Sequence, residues 1–288
     1  MSDLKTSFVA NEEFTSFISK FGIGKETEAI LKCNSKTSTI TCIKKLSSMK
    51  VSGEYKITDK KVNELSLHSD KQFVINDIAV GIIDSKKFSQ ILKLNSGDYW
   101  FLIKGLDEIG VEKIFIVSEK KVAEIPLSKY LNEKEKAVDT SKETIFKHII
   151  DSNMLNIISK DCSVIDGQFF YIGFKSDTTN NYKNIFIILG EKAWHRTEID
   201  LDIKLDNTNM EKLKNGVGNA TYFKENTDGY DYILRYNKED LKNILSAMDT
   251  TNIINVFLNL KGGFIFNESK ETEDNNIDVC YGIMPIAM

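Results

Sequence analysis

The sequence carries an internal repeat, which limits the fold to two copies of one supersecondary unit. Four segments have the apolar spacing of a helix behind a capping residue. The second of them follows Asp84 and the fourth follows Asn237, 153 residues later. The apolar positions of these two segments coincide at that offset: Phe88, Ile91 and Leu92 align with Leu241, Ile244 and Leu245. The chain is therefore predicted to hold two domains with a matching helix.

The other two helical segments align at an offset of 132 residues. The first follows Asn11, and the third follows a capping box made by Thr140 and Glu143. The apolar positions that align are Phe14, Phe17 and Ile18 with Phe146, Ile149 and Ile150. The only two prolines, Pro126 and Pro285, fall at similar points of two predicted terminal strands, 122–127 and 279–286. The alternative is that two unrelated α+β domains share this style by chance.

Short β-branched and aromatic runs, separated by polar or glycine turns, fill most of the remaining chain and predict strands. One run, Glu198–Leu205, alternates apolar and polar residues, which is typical of a strand with one face in the core. The fold class is therefore α+β, with four short helices. Residues 128–136 are polar and highly charged, so we expect them to connect domain 1 (1–127) to domain 2 (137–288).

Charge and composition exclude some classes of protein. Among 288 residues, 38 are basic and 42 are acidic, and the formal net charge of −4 argues against a polybasic nucleic-acid binder. Only Arg196 and Arg235 are arginines, and lysine is a point charge rather than a bidentate reader of bases. Any contact with DNA is therefore expected to be independent of base sequence. A lysine-rich composition is also typical of an AT-rich genome.

No pattern in the sequence predicts catalysis, a metal site or a cofactor. Phe21–Lys25 has glycines like those of a phosphate-binding loop but lacks the residues required at both ends of that motif. The three histidines, His68, His148 and His195, have no partner at the spacing of a metal site or a catalytic triad. The four cysteines form no C-x-x-C pair, and the longest apolar runs are strand-sized. We therefore expect reduced thiols, no membrane-spanning helix and a cytoplasmic location.

The last quarter of the chain carries the clearest likeness to a known family. Tyr232–Tyr236 leads into a helical segment over 238–248, which two strands and the run Cys280–Ile286 follow. This order, with Tyr281 four residues before the proline, resembles DNA sliding clamps of the proliferating cell nuclear antigen type and their phage counterparts. Residues 73–127 are similar to the same pattern. The segment 193–222 is longer than its counterpart in the family, and the connector is shorter.

The resemblance implies sheets on the outside, helices lining one face, and a function without enzymatic activity. Such a chain would close as a homotrimeric ring around duplex DNA and tether the replicative DNA polymerase, with a clamp loader as a further candidate partner. A viral chain would act in the cytoplasm or nucleus of its host. Two alternatives are a monomeric processivity factor of the same fold, which the net charge of −4 disfavours, and a β-rich viral structural or adaptor protein without a DNA role.

The resemblance also implies three sets of site residues. Lysines on the polar faces of the four helices would face DNA: Lys20, Lys86, Lys87, Lys93, Lys142, Lys147, Lys238 and Lys242. Apolar residues beside the connector and at the C-terminus would form a groove for partner peptides: Ile125, Leu127, Met284, Pro285 and Ile286. Two apolar strands would pair across the subunit interface through Ile114, Phe115, Ile116, Ile185 and Phe186. Exposed lysines that only solubilise the chain, and apolar strands that are interior, are the alternatives.

Overall fold

A computed structural model describes residues 4–57, 72–105, 112–128, 135–140, 143–177, 182–190, 195–218, 224–225, 229–271 and 276–287. The chain divides into two compact units. Unit 1 contains Met1–Leu46, Val51–Ala137 and Ser269–Val279, and unit 2 contains Ser47–Lys50, Val138–Glu268 and Cys280–Met288. Antiparallel sheet and short helices make up both units, which confirms the predicted α+β fold.

Unit 1 carries the first nine strands and the first two helices of the described chain. The strands are β1 (Leu4–Ala10), β2 (Ala29–Asn34), β3 (Thr39–Lys45), β4 (Met49–Lys56), β5 (Val74–Ile75), β6 (Ile78–Ile82), β7 (Tyr99–Lys104), β8 (Lys113–Ser118) and β9 (Lys121–Ser128). The helices are α1 (Glu12–Ser19) and α2 (Ser85–Lys93). Neighbouring strands follow the order β4-β3-β2-β6-β9-β8-β7-β1-β5, and α1 packs against α2.

Aromatic side chains from α1 and the sheet form much of the core of unit 1. The Asn11 side chain caps α1 by accepting a hydrogen bond from the Phe14 backbone N–H at 3.1 Å. Phe14 then lies in edge-to-face contact with Phe8 of β1 and Phe101 of β7, with 5.2 Å between ring centroids in both pairs. Asp84 caps α2 in the same way. The predicted helices after Asn11 and Asp84 are confirmed.

Unit 2 carries the remaining elements of the described chain, except that residues 269–271 of β17 and 276–279 of β18 belong to unit 1, and residues 49–50 of β4 belong to unit 2. The strands are β10 (Thr144–Ile150), β11 (Phe169–Ser176), β12 (Tyr182–Gly190), β13 (Arg196–Asp206), β14 (Lys224–Glu225), β15 (Tyr232–Asn237), β16 (Ile253–Asn259), β17 (Phe264–Glu271) and β18 (Asn276–Ile283). The helices are α3 (Ser152–Val164), α4 (Asn207–Val217) and α5 (Lys238–Ala247). One run of neighbouring strands is β10-β16-β17-β18, and a second sheet has the order β13-β12-β11-β15-β14.

Tyr236 of β15 anchors the core of unit 2. Its ring stacks on Phe170 of β11 with 5.1 Å between centroids, and its hydroxyl donates to the Gly262 carbonyl at 2.6 Å. The next residue, Asn237, caps α5 by accepting from the Glu239 backbone N–H at 3.0 Å. The helix that the sequence predicts after Asn237 is therefore confirmed, and it packs against α3.

The helix predicted behind Thr140 and Glu143 is wrong, because residues 144–150 form strand β10. This strand pairs with β16, and the register shifts between Thr144 and Phe146, which lets the adjacent residues Ile145 and Phe146 both be buried. That bulge produces a pair of neighbouring buried residues, which the sequence pattern attributed to a helix. The true helix is α3, which Asp151 caps, and α4 was not predicted at all. The described residues thus contain five helices rather than four.

The corrected repeat is more regular than the predicted one. The seven-residue strands β1 and β10 start 140 residues apart, and so do the caps Asn11 and Asp151, which each accept from the N–H three residues later. The correct offset for the first half of the repeat is therefore 140 rather than 132. The proline correspondence is weaker than predicted, because Pro126 lies inside β9 whereas Pro285 follows the end of β18.

In the ranges that the structure describes, none of the helices combines the length and the apolar character that crossing a membrane requires.

Candidate nucleic-acid and partner surfaces

Three of the predicted DNA-facing lysines lie on the exposed side of α2. Asp84 begins the helix and accepts a hydrogen bond from the Lys87 backbone N–H at 2.8 Å. The apolar residues of α2 are directed into unit 1, and Lys86, Lys87 and Lys93 remain exposed. Lys93 lies in the last turn, where a positive charge is favourable because it offsets the helix dipole. The helix therefore presents a basic surface without an acidic residue in its first turn.

The helices α3 and α5 of unit 2 present fewer exposed lysines, and α5 has Glu239 and Asp240 in its first turn. Lys242 of α5 is half-buried, and Lys160 of α3 is exposed. Burial raises the pKa of Cys162 on α3, and the charges of Lys238 and Lys242 oppose that rise, so both ammonium groups lie close to this thiol. Lys160 was not predicted as a site residue, because the sequence analysis placed the helix one segment too early.

Two of the predicted DNA-facing lysines are buried, so their assignment to an exposed helix face is wrong. Lys20 is 4% exposed at the C-cap of α1, and Lys238 is 3% exposed at the start of α5. The Lys238 ammonium donates a hydrogen bond to the carbonyl of Ile165, the residue that ends α3. A lysine next to unsatisfied carbonyls at a helix end is stabilised there rather than in solvent.

Unit 1 contains a comparable buried lysine, which the sequence analysis did not single out. Lys44 of β3 donates from Nζ to the carbonyl oxygens of Phe21 at 3.1 Å and Ile23 at 2.6 Å, just after α1. It also donates to Ser85 Oγ at 3.0 Å, at the start of α2. Burial lowers the pKa of Lys44, although the nearby Glu26 carboxylate partly opposes this. Each unit therefore uses a buried ammonium group to satisfy the end of its first helix.

The remaining two predicted lysines come from the misplaced helix. Lys147 lies on β10, where it is exposed and stands 5.2 Å from the ring centroid of Phe257. Lys142 lies outside the described residues. The Lys147 side chain therefore does not belong to a helix face.

The predicted peptide groove draws on residues of both units. Ile125 and Leu127 of β9 are buried in unit 1. Met284 is 48% exposed in unit 2, and Pro285 and Ile286 are half-buried. The backbone of this C-terminal segment is held in place, because Met284 N–H donates to the Ser48 carbonyl at 3.1 Å and Ile286 N–H donates to the Arg235 carbonyl at 2.8 Å. Met284 is thus the most accessible of the predicted groove residues.

The strands predicted to pair across subunits are interior strands, so that prediction is wrong. Strand β8, with Ile114, Phe115 and Ile116, lies between β7 and β9. Strand β12, with Ile185 and Phe186, lies between β11 and β13. Both strands have partners on their two sides, so their backbone groups are not available to another chain.

Other strands do have backbone edges without a partner among the described residues: β5, β10, β13 and β14 each end a strand order, and β9 is open along part of its length. Strand β13 pairs only with β12. Strand β9 pairs with β8 along its length but reaches β6 only at Leu127 and Ser128, which leaves one side of 121–126 unpaired. Val122, on this part of β9, is 62% exposed. An exposed apolar residue on an open edge is typical of a strand that another strand covers.

The exposed side of β13 is strongly acidic. Ile199, Leu201, Ile203 and Leu205 are buried, and the alternate residues that are exposed are Glu198, Asp200, Asp202, Lys204 and Asp206. Asp202 has a φ of 56°, and its backbone N–H donates to Asp200 Oδ1 at 2.9 Å. The strand bulges at this point, since its register with β12 shifts between Asn184 and Phe186.

A polar cleft of about 370 Å³ lies beside α4 in unit 2. Its two ammonium groups are already paired, since Lys183 lies 2.9 Å from Asp231 and Lys214 lies 3.2 Å from Glu211. Across the described ranges, no three His, Cys, Asp or Glu side chains lie close enough together to hold a metal ion. Among the described residues, exposed surfaces are therefore better candidates for a functional site than this cleft is.

No protein-family model matches the sequence, and no characterised protein matches it by sequence. Solved structures of sliding clamps, however, match its fold. The beta clamp of Helicobacter pylori in complex with 5-chloroisatin has a TM-score of 0.64 and 16% identity, over 99% of this chain and 67% of that one. Proliferating cell nuclear antigen from Thermococcus kodakaraensis has a TM-score of 0.58 and 12% identity, over 99% and 100%. Proliferating cellular nuclear antigen from Entamoeba histolytica has a TM-score of 0.58 and 13% identity, over 99% of this chain and 100% of that one. The chain has the fold of a DNA sliding clamp.

Proposed function

We propose that this chain is a sliding clamp, a homotrimeric ring without enzymatic activity that encircles duplex DNA. The ring tethers the replicative DNA polymerase in the cellular compartment where replication takes place. The observation that carries the proposal is the extent of the structural likeness. The match covers 99% of this chain and 100% of two proliferating cell nuclear antigen chains, so both repeated units have counterparts in a clamp. Three copies of a two-unit chain supply six units to one ring.

The exposed lysines support a DNA contact that does not read sequence. Lys86, Lys87 and Lys93 on α2 are free to attract phosphates, and Lys160 and Lys242 add charge on the helices of unit 2. Lysine ammonium groups bind phosphate without base specificity, and such contacts let a protein move along a duplex. The net charge of −4 fits a ring that stays on DNA because it is closed rather than because it binds tightly.

The open edges of β9 and β13 support a head-to-tail contact between copies. A copy's β9 edge carries the exposed residues Lys121 and Val122, and another copy's β13 presents an acidic side. Pairing these edges would cover Val122 and place lysine beside carboxylates. Because one edge belongs to unit 1 and the other to unit 2, each copy uses two different surfaces, and such a contact closes into a ring when the rotation fits.

Two measurements test the ring. Light scattering on a size-exclusion column, over a range of concentrations, should give about three times the chain mass of 32.8 kDa. Protein added to nicked circular DNA should stay bound through a wash in high salt, and cutting the circle should release it. A constant mass of one chain would reject the ring and favour the monomeric processivity factor. A trimer that never associates with DNA would favour the structural or adaptor protein.

A charge-reversal variant tests the DNA-facing surface. Replacing Lys86, Lys87 and Lys93 by glutamate should leave the mass unchanged and abolish retention on circular DNA together with stimulation of primer extension. A matched control carries the same change at three exposed lysines outside the helices: Lys36, Lys175 and Lys261. If the control loses as much activity as the α2 variant, the effect is one of net charge, and the assignment of α2 to the DNA side is wrong.

A further inference from the structure

The only two arginines of the chain lie on the same face of one sheet. Arg235 of β15 is opposite Tyr171 of β11, which is opposite Ile188 of β12, which is opposite Glu198 of β13. Arg196 is two residues from Glu198 on β13 and therefore shares its side of the sheet. A chain with 38 basic residues thus places both of its guanidinium groups on this face, which we call the arginine face.

The two arginines differ in their partners. Arg196 Nη2 forms an ion pair with Glu198 Oε1 at 2.8 Å, and its guanidinium lies 5.5 Å from the Tyr230 ring centroid. Arg235 lies over the Phe169 ring at 4.6 Å, but no carboxylate in the described part of the chain pairs with it. The Nε atoms of both arginines are buried without a hydrogen-bond acceptor there, so the two differ in the carboxylate and not in Nε. Arg235 therefore keeps a positive charge that the unit does not neutralise.

The surroundings of Arg235 are apolar and only partly open to solvent. Phe169, Tyr171 and Ile233 share its face, and each is half-buried, as is Arg235 itself. A guanidinium held over an aromatic ring has lost much of its rotational freedom before any ligand arrives. Partial burial also strengthens its attraction for an incoming anion, because water screens the charge less. A carboxylate that binds this guanidinium therefore causes little further loss of side-chain entropy.

The arginine face adjoins the C-terminal segment. Ile286 N–H donates to the carbonyl of Arg235, so the segment that contains the exposed Met284 runs beside β15. A partner peptide that covers Met284 would therefore pass close to the guanidinium of Arg235.

We propose that Arg235 binds a carboxylate on a partner peptide, at a site where that carboxylate adjoins an apolar side chain. This inference rests on the proposed function, because it names the chemistry of the partner segment that a clamp would hold. The carboxylate would form charge-assisted hydrogen bonds to the guanidinium, and the adjoining apolar group would contact Phe169, Tyr171 or Ile233. Arg196 cannot bind such a carboxylate equally well, because its guanidinium already forms an ion pair with Glu198.

The small number of arginines allows a direct test by NMR spectroscopy on the full chain labelled with ¹⁵N. The arginine Nε–H region should contain two signals, one of which disappears in Arg235→Gln. N-acetylphenylalanine serves as the probe, because it joins a carboxylate to an aromatic ring, and its carboxamide analogue lacks only the charge. We expect the acid to shift the Arg235 signal with a millimolar dissociation constant and to leave the Arg196 signal in place.

Three outcomes would overturn the inference. A carboxamide that shifts the Arg235 signal as much as the acid would make the site purely apolar. Inorganic phosphate that produces the same shift at equal concentration would make it a general anion site. Equal shifts of both arginine signals, or no shift of either, would show that Arg235 has no special affinity for the carboxylate.

Variants separate this inference from the proposed function. The affinity for the acid can be measured in each variant from the backbone amide shifts at residues 169–171 and 233–235. In Arg235→Gln this affinity should fall at least about tenfold, since a charge-assisted contact is lost. Arg235→Lys should recover part of that affinity, and Arg196→Gln should keep all of it. Solution mass and retention on circular DNA should not change in any of the three. Failure of those ring assays in the parent chain would reject the proposed function, whereas equal probe affinity in all variants would reject the carboxylate site.

Discussion

Val122 offers the sharpest test of the contact between copies, because it is the exposed apolar residue on the unpaired edge of β9. The side chain is 62% exposed in the single chain, so its replacement should change little within unit 1. The acidic side of β13 on another copy is the surface proposed to cover it. Val122→Asp therefore removes apolar contact area and adds a negative charge next to carboxylates, without altering the backbone.

The size of the effect follows from the exposed area of the side chain. Burying a whole valine side chain contributes about 1.5–3 kcal/mol, so covering the 62% that is exposed contributes about 1–2 kcal/mol per contact. A carboxylate brought beside acidic residues at a partly desolvated contact adds about 1 kcal/mol of repulsion. The sum of about 2–3 kcal/mol weakens each contact about 30- to 150-fold.

Light scattering over a dilution series measures this effect, since the midpoint of trimer dissociation should move to a higher protein concentration. Val164→Asp is the matched control, because Val164 is 77% exposed on α3 and the substitution changes the charge equally. At dilutions where the parent chain is monomeric, both variants should unfold at the same urea concentration as the parent chain. If Val122→Asp dissociates like the parent, or if Val164→Asp dissociates as readily as Val122→Asp, the assignment of the β9 edge to the contact is wrong.

Three further predictions concern the stability of the single chain. Gly216→Ala should lower the free energy of unfolding by about 1–3 kcal/mol in urea titrations, because the new Cβ would lie 2.2 Å from the Leu260 carbonyl oxygen. Asn215→Ala in the same helix is the control and should leave the free energy of unfolding unchanged. Lys44→Met should cost about 1–3 kcal/mol by leaving the Ile23 carbonyl without its donor, while the Phe21 carbonyl keeps the Ser85 hydroxyl, and a cost equal to that of Lys45→Met, whose side chain is 71% exposed, would contradict this role. Burial raises the pKa of Cys33 from 9.0 to about 12, so the folded chain holds a proton that the unfolded chain loses above pH 9, and stability should fall as pH rises from 9 to 12. Cys33→Ala should make that fall less steep in urea titrations at several pH values, and an unchanged slope would show that other groups cause it.

Helix starts were predictable from the sequence because capping is a local interaction. Asn11, Asp84 and Asn237 each accept a hydrogen bond from a backbone N–H two or three residues later, so the signal and its effect lie within one turn. The repeat of the second helix was predictable for the same reason. Asp151 caps α3 by the same contact, and the offset of 140 from Asn11 was the signal that could have identified it.

Residues 144–150 show where local pattern stops being decisive. Neighbouring apolar residues at 145–146 and 149–150 fit a helix, and the same residues fit a strand that has a bulge. Pairing with β16, more than 100 residues away, selects the strand. As a consequence Ile149, which a helix would have buried, is 62% exposed.

The sequence by itself therefore determined the α+β class, the capped helices and the two-fold repetition, since each depends on residues close together in the chain or on the whole pattern of apolar positions. Tertiary structure decided which strands are interior and which lysines are buried. Strand β12 is interior because β11 and β13 flank it, and the buried Lys238 ammonium donates a hydrogen bond to the Ile165 carbonyl. It also decided that Arg235 lacks the carboxylate that Arg196 has. The Lys238 partner lies 73 residues away in sequence, and hydrogen bonds and charge pairs act only over a few ångströms in space, whatever the separation along the chain.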